Sequence, residues 1–231
     1  MKYIQRYWKI VVSVVFAIAV AVFWALPAVS LLSYHEQYQL FLFTTGYFRE
    51  RLAVPGGLAD YIAEFITQWN YIFVVGAILL ALLFFVFQRL TWRIAKDEET
   101  ADVWYPLSFV PAILMLAYMC DANVMPSFLV ALVLVQLLML LWQKVACGAN
   151  SVVRVAFIVV ALPLSYWLLG PVMFILAAYI FIYVLANKPR RLSPWIAVVA
   201  AIYAVATVLV VVQFRPEPLY RLFGGLNYYR F

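Results

Sequence analysis

Long apolar runs separated by short polar segments dominate the hydrophobic pattern of this chain. Runs such as residues 77–87 are apolar on every face, which predicts helices rather than the period-two alternation of a membrane β-barrel. Seven runs approach the roughly 20 residues that a helix needs to cross a bilayer. They cover residues 8–32, 71–90, 104–120, 128–142 with its flanks, 152–169, 172–185 with its flanks, and 195–214. The pattern predicts an all-α integral membrane protein, a bundle of about seven transmembrane helices forming one polytopic domain over residues 1–231.

The composition of this chain also indicates that it is embedded in a lipid bilayer. Of the 231 residues, 68% are apolar and only 11% are charged, against about 25% charged in soluble domains. This excludes a soluble enzyme, a nucleic-acid-binding domain, a disordered chain and a disulfide scaffold. The predicted topology puts Cys120 and Cys147 on opposite sides of the bilayer, and His35 is the one histidine. We therefore expect neither a disulfide nor a zinc site, and no cofactor is indicated.

The basic residues predict the orientation. The net charge is +6, and the basic residues sit at the ends of apolar runs, where Lys and Arg favour the cytoplasmic side. Eleven of the sixteen Lys and Arg residues fall in the segments that lie in the cytoplasm if the N-terminus does. We therefore expect a cytoplasmic N-terminus. An odd number of spans then puts the C-terminal tail, residues 215–231, outside.

The first outer loop, residues 33–70, is the most informative segment. Val54-Pro55-Gly56-Gly57 interrupts it. A helical apolar pattern follows, formed by Leu58, Tyr61, Ile62, Phe65, Ile66 and Trp69. The opposite face carries Asp60, Glu64, Thr67 and Gln68, and we expect these residues to face water. The pattern predicts an amphipathic helix in the outer head-group plane. The loop is then either a hydrophobic lid that anchors the bundle or part of a functional site.

Two acids are candidates for chemistry on the outer face. Glu36 follows the first span by a few residues, a boundary position that suits a general base. Asp121 begins the next outer turn, on the same side of the membrane. Both residues also have structural interpretations, since an interfacial Glu is often structural and Asp is a common turn or N-cap residue.

Cations on the same face are candidates for substrate binding. They are His35, Arg49, Arg51, Arg215 and Arg221. The planar fork of arginine suits phosphate recognition. An acid, several arginines and an apolar groove together fit a polyprenyl-phosphate-linked donor, with the acid activating an acceptor hydroxyl.

Three segments carry a resemblance to a known group of proteins. EQYQLF at 36–41, TGYF at 45–48 and VPGGLADYI at 54–62 resemble an uncharacterised group of polytopic inner-membrane proteins of Bacteroides-type bacteria. More loosely, the layout is similar to GT-C membrane glycosyltransferases, whose first outer loop carries a catalytic acid and interfacial helices. The resemblance implies a location in the bacterial inner membrane, with the loop in the periplasm.

The same resemblance implies roles for the two acids. Glu36 would be the acceptor base of a transferase that uses a polyprenyl-linked sugar, and Asp121 a supporting acid or metal ligand. No metal requirement is indicated. Members of the uncharacterised group continue into an extracytoplasmic helical region, so we expect this chain to be a shortened version, a remnant or part of a longer protein.

Two other functions compete with a transferase. A non-catalytic subunit or scaffold of a cell-envelope complex would bind a membrane-protein partner through small residues on the seventh span, namely Ala197, Ala200, Ala201 and Ala204. A small-solute transporter is disfavoured because no charged residue lies in the middle of a span. Gln136, an amide in the middle of a span, is expected to form an interhelical hydrogen bond.

Overall fold

A computed structural model describes residues 2–38, 41–96, 101–148, 150–186 and 195–214. Within these ranges the chain is helical and has no β-strand. The α-helices are α1 (Lys2–Ala25), α2 (Val29–Tyr38), α3 (Thr45–Leu52), α4 (Gly57–Thr67), α5 (Phe73–Ala95), α6 (Val110–Tyr118), α7 (Pro126–Gly148), α8 (Ser151–Leu169), α9 (Met173–Ala186) and α10 (Trp195–Phe214). Short 3-10 helices cover Gln68–Tyr71, Asp102–Phe109 and Gly170–Val172.

Four helical segments of the described ranges are long and apolar enough to cross a membrane. They are Tyr7–Ala25, Phe73–Ala95, Pro126–Gly148 and the 36-residue run Ser151–Ala186. The predicted count of seven is therefore not supported. The run predicted at 104–120 begins as a 3-10 helix and continues as the nine residues of α6. The run at 172–185 is the 14-residue α9, which forms the second half of the 36-residue segment.

Helix α7 lies between two hydrophobic clusters. One cluster joins it to α1, α5 and α6 around Trp24, Phe84 and Leu129. The other joins it to α4, α8, α9 and α10 around Trp142 and Ile158. The predicted bond of Gln136 is confirmed, because its Nε2 donates to Thr91 Oγ1 of α5 at 2.8 Å.

Helices α8 and α9 form an antiparallel hairpin. The end of α7 meets the first half of α8, where the Trp142 and Phe157 rings lie 5.6 Å apart. It also meets α9, where Gln143 Nε2 donates to Tyr179 Oη at 2.7 Å. The reversal follows Gly170, whose φ of 71° is costly for any residue with a Cβ.

The charged residues divide between the two ends of the bundle. At one end of the bundle, which we call the basic end, α1 begins and α5 and α7 end. The cations at this end are Lys9, Arg89, Arg93, Lys96 and Lys144. Two contacts fix this end: Lys9 pairs with Asp102 at the start of the third apolar segment, and Gln143 Nε2 donates to Ile94 O.

The lid end, where α2, α3 and α4 lie, carries most of the described acids. Residues 121–125 and Gly170 also belong to this end. Cys120 lies at the lid end and Cys147 at the basic end, both exposed and free. The two cysteines are thus at opposite ends of the bundle.

Candidate functional site

A charged cluster, buried at Glu64 and partly exposed at Tyr47 and Arg51, joins α3 to α4 at the lid end. Arg51 Nη2 lies 2.5 Å from Glu64 Oε1, and the Tyr47 hydroxyl donates to Glu64 Oε2 at 2.5 Å. Arg51 Nε donates to the Tyr47 oxygen at 3.0 Å. We call Tyr47, Arg51 and Glu64 the Arg51 cluster. Its three side chains are linked in a closed set of hydrogen bonds, a geometry that holds the two helices in one register.

Burial raises the free-energy cost of the charges in this cluster. The Glu64 side chain is 3% exposed and that of Arg51 28%, while Asp60 beside them is buried. Burial opposes the charge of Arg51, but the Tyr47 hydrogen bond and the nearby carboxylates raise the pKa of its guanidinium. The pKa of Tyr47 is raised by burial and by its bond to Glu64. Arg51 therefore stays charged and neutralises buried carboxylate charge.

The turn between α3 and α4 explains how the cluster is assembled. Gly56 adopts a left-handed φ of 87°, and its N–H donates to Trp167 O of α8 at 2.9 Å. A Cβ on Gly57 would lie 1.7 Å from the Arg51 carbonyl oxygen, so a side chain there is sterically excluded. Ala59 and Ala63 are fully buried where α4 packs on α7. The two glycines thus fold α3 onto α4, and the alanines let α4 approach the bundle.

The predicted orientation of α4 is wrong. Asp60, Glu64 and Thr67 were expected to face water, yet all three are buried. Phe65 and Trp69 of the apolar face are exposed instead, at 38% and 45%. The carboxylates are buried because Arg51 and Tyr47 on α3 are close enough to bind them. Apolar side chains can face lipid without a cost in free energy.

An apolar groove runs between α7 and α8 below the lid end. Its volume is about 510 Å³, and Leu134, Leu141 and Phe157 line it along the bundle. Leu58 of α4 and Leu168 also contribute to its lining. Nearly all of its lining is apolar and lies within segments long enough to cross a membrane, so the groove fits a hydrocarbon chain.

The structure brings the two candidate acids to the same end of the bundle. His35 is buried, and its Nε2 lies 3.3 Å from Ala122 O, next to Asp121. Burial lowers the pKa of His35, so its ring is neutral near pH 7. Asp121 is exposed and accepts from the backbone N–H and the side-chain amide of Asn123, at 2.9 and 3.1 Å. Glu36 is half-buried in the last turns of α2.

The candidate cations are distributed differently from the prediction. Arg51 belongs to the Arg51 cluster, and Arg49 is exposed on α3. Arg215 and Arg221 lie outside the described residues. His35 contacts a backbone carbonyl of the turn that carries Asp121, so it positions that turn. In the part of the chain that the structure describes, no three His, Cys, Asp or Glu side chains group closely enough to hold a metal ion.

Comparison with known protein families assigns this chain to one of them. Residues 6–231 match the model of a family of unknown function, DUF6057. The chain belongs to this family. No curated protein and no solved structure matches it. The match covers α3, α4, α7 and α8, so the Arg51 cluster and the groove both lie within the DUF6057 region.

Sequence reasoning missed Tyr47 and Glu64 as partners of Arg51. The sequence does contain the relevant pattern: a basic residue and an acidic residue flank the Val54-Pro55-Gly56-Gly57 turn. A tight turn between two short helices brings such residues together. The DUF6057 helix α4 therefore buries its two acids together with Ala59 and Ala63, whereas Phe65 is exposed.

Proposed function

We propose that this chain acts as a GT-C-like membrane glycosyltransferase whose groove holds the chain of a polyprenyl-phosphate-linked sugar. The groove between α7 and α8 carries this proposal, because it is apolar, about 510 Å³ in volume and built from segments long enough to cross a membrane. Leu58 connects the groove to α4. A lipid seated there would place its head group beside the α3–α4 hairpin at the lid end.

Glu36 and Asp121 are the proposed acids of the reaction. Glu36 accepts the proton of an acceptor hydroxyl, whose oxygen then attacks the anomeric carbon of the sugar. The bond from that carbon to the phosphate oxygen breaks, and the polyprenyl phosphate leaves with the bonding electrons. Asp121 supports the acceptor. The contact of His35 with Ala122 supports a common location for these two acids.

Phosphate binding falls to arginines outside the Arg51 cluster. Arg51 already pairs with the buried carboxylate of Glu64, and a phosphate would have to compete with that carboxylate for its positive charge. Arg49, exposed on the same helix, is the proposed phosphate ligand, together with Arg215 and Arg221.

The proposed location is the bacterial inner membrane, with the lid end in the periplasm. The basic end then faces the cytoplasm, as Lys and Arg favour, and so does the N-terminus. The C-terminal tail, residues 215–231, is placed in the periplasm. A GT-C-like reaction and a role in the cell envelope are part of the same proposal, in which both candidate acids face the periplasm.

A non-catalytic membrane scaffold is the second candidate. The Arg51 cluster favours it, because an ion pair that joins the two helices of the lid to each other needs no substrate. Of the four alanines that the sequence predicts for its partner surface on α10, the side chain of Ala197 lies outside the described part of the chain. Ala200 and Ala204 are buried within the bundle, whereas Ala201 is exposed.

Filling the groove tests the lipid-binding part of the proposal. We expect Ala161→Phe, which places a ring among the lining residues, to lower the polyprenyl phosphate that co-purifies with the chain by about tenfold, a loss of about 1.4 kcal/mol in binding. Lipid mass spectrometry of the chain extracted in mild detergent measures this. Ala156→Phe, on an exposed face of the same helix, is the matched control and should retain wild-type levels. Equal retention in the two variants would contradict the groove assignment.

The catalytic part is tested separately with Glu36→Gln. This variant should retain polyprenyl phosphate but lose sugar transfer from the lipid-linked donor of the same membranes. Transfer at the wild-type rate would remove Glu36 from the mechanism. A wild-type chain that carries only bulk phospholipid would favour the scaffold.

A further inference from the structure

A second cavity lies at the basic end, away from the groove and the lid. Its volume is about 590 Å³. It is lined by Lys9, Arg89, Leu90, Trp92, Arg93 and Lys96. Four of these six residues are cations, so the cavity combines a strongly positive lining with an indole ring and one leucine.

Neighbouring side chains hold two of these cations in place. Lys9 Nζ pairs with Asp102 and lies 5.0 Å from the centre of the Trp92 ring. Arg89 Nη1 donates to the Tyr105 hydroxyl at 3.3 Å. Asp102 is mostly exposed, and the Lys9 hydrogen bond lowers its pKa. The positive charges are thus positioned by the fold and exceed the one described carboxylate beside them.

A network of buried polar groups fixes the Tyr105 ring that holds Arg89. The Tyr105 hydroxyl donates to Lys9 O at 2.7 Å. Gln88 Nε2 donates to Ser108 Oγ at 2.7 Å, and Ser13 Oγ donates to Gln88 Oε1 at the same distance. These bonds tie α1, α5 and the Asp102–Phe109 helix together. The cavity is therefore a formed site between packed elements, rather than a chance cluster of surface charges.

Its position along the helices indicates the kind of ligand. Lys9 lies in the first turn of the segment Tyr7–Ala25, and Arg89 and Arg93 lie in the last turns of Phe73–Ala95. This is the level at which a crossing helix leaves the hydrocarbon core and meets lipid phosphates. Basic pockets between membrane helices on the cytoplasmic side bind anionic head groups.

We propose that this cavity binds the phosphate of an anionic phospholipid of the cytoplasmic leaflet. Arg89 and Lys9 contact the phosphate, Arg93 and Lys96 surround it, and Leu90 and Trp92 contact the glycerol and upper acyl region. A lipid fits better than a free phosphate ion because the lining is partly apolar and lies at the end of two candidate spans. This site is separate from the proposed transferase site and does not depend on it.

Native mass spectrometry of the full chain in detergent tests this site. The probes are phosphatidylglycerol and, for comparison, zwitterionic phosphatidylcholine. We expect the wild-type chain to retain phosphatidylglycerol preferentially, and Arg89→Gln to weaken that binding about fivefold, which corresponds to about 1 kcal/mol for one charge near the surface. Arg93→Gln, at an exposed position, should also weaken binding and does not disturb the Tyr105 contact.

Lys144→Gln is the matched control at the same end of the bundle, outside the cavity, and should bind as the wild type does. Inorganic phosphate should not displace the lipid at equal concentration. The proposal is overturned if the wild-type chain shows no preference for phosphatidylglycerol. Equal weakening by Arg93→Gln and Lys144→Gln, or displacement by inorganic phosphate alone, would overturn it as well.

Discussion

Arg51→Met is expected to lower the free energy of unfolding by about 3 kcal/mol. Removing one member of a buried ion pair leaves the other charge uncompensated, which typically costs 3–5 kcal/mol. Glu64 is 3% exposed and Asp60 is also buried, so the variant leaves two carboxylates without the guanidinium that neutralises them. Partial exposure of Arg51 itself keeps the expected cost at the lower end. Denaturant titration in mixed micelles measures the change.

Three further variants separate this ion pair from general disruption of the lid. Arg49→Met, on the same helix but exposed, should change stability by less than about 0.5 kcal/mol. Glu64→Gln should cost about 1 kcal/mol, because Arg51 can reach water and the amide oxygen still accepts from Tyr47. The double variant R51M/E64L should recover much of the loss of R51M. If R51M were as stable as R49M, the Arg51 cluster would not hold α3 to α4.

Gly57→Ala should also destabilise the chain by about 3 kcal/mol or more. The added Cβ would lie 1.7 Å from the Arg51 carbonyl oxygen, and that atom belongs to the backbone, so the α3–α4 turn must open. Overpacking in a well-packed site costs typically 1–3 kcal/mol, and here the shift also separates Arg51 from Glu64. The same unfolding titration measures the effect.

Gly46→Ala is the matched control for this change. Gly46 lies in α3, and a Cβ there meets no atom within 4 Å. Alanine is favoured over glycine in a helix by about 0.5–1 kcal/mol, so this variant should be slightly more stable than the wild type. If Gly57→Ala were as stable as Gly46→Ala, the α3–α4 turn would tolerate the shift and its close contact would be unimportant.

The sequence pattern predicted the helical class, the bond of Gln136 and the separation of the two cysteines. These features depend on apolar run lengths and on the cost of an unpaired amide in lipid, which local composition reveals. The number of spans depends on where helices begin and end. At 104–120, Pro106 and Pro111 lie within the apolar run, and the segment starts as a 3-10 helix and not as one long α-helix.

The orientation of α4 could not be derived from its pattern alone. An amphipathic sequence defines two faces, and in water the apolar face turns inward. Next to lipid either face can turn inward, and the choice depends on whether a partner neutralises the acids. Arg51 is that partner, and only the close contact at Gly57 brings it to Glu64.

In the candidate site, too, some features depend on local sequence and others on tertiary contacts that the sequence does not reveal. The turn containing Asp121 and the end of α2 lie together, where His35 contacts Ala122 O. The pairing of Arg51 with Glu64 depends on a fold-back of 13 positions that the sequence marks only by two glycines. Of the two arginines of α3 that the sequence offered as phosphate ligands, Arg49 is therefore kept in the proposal and Arg51 is not.

The orientation of the bundle is the claim on which both proposed sites depend, and the two cysteines test it directly. Cys120 is exposed at the lid end and Cys147 at the basic end. Intact spheroplasts are treated with a membrane-impermeant maleimide, using Cys147→Ser to report Cys120 and Cys120→Ser to report Cys147. We predict that Cys120 is labelled from outside and that Cys147 is labelled only after permeabilisation. Labelling of Cys147 in intact spheroplasts, with Cys120 protected, would put the basic end outside and contradict the account.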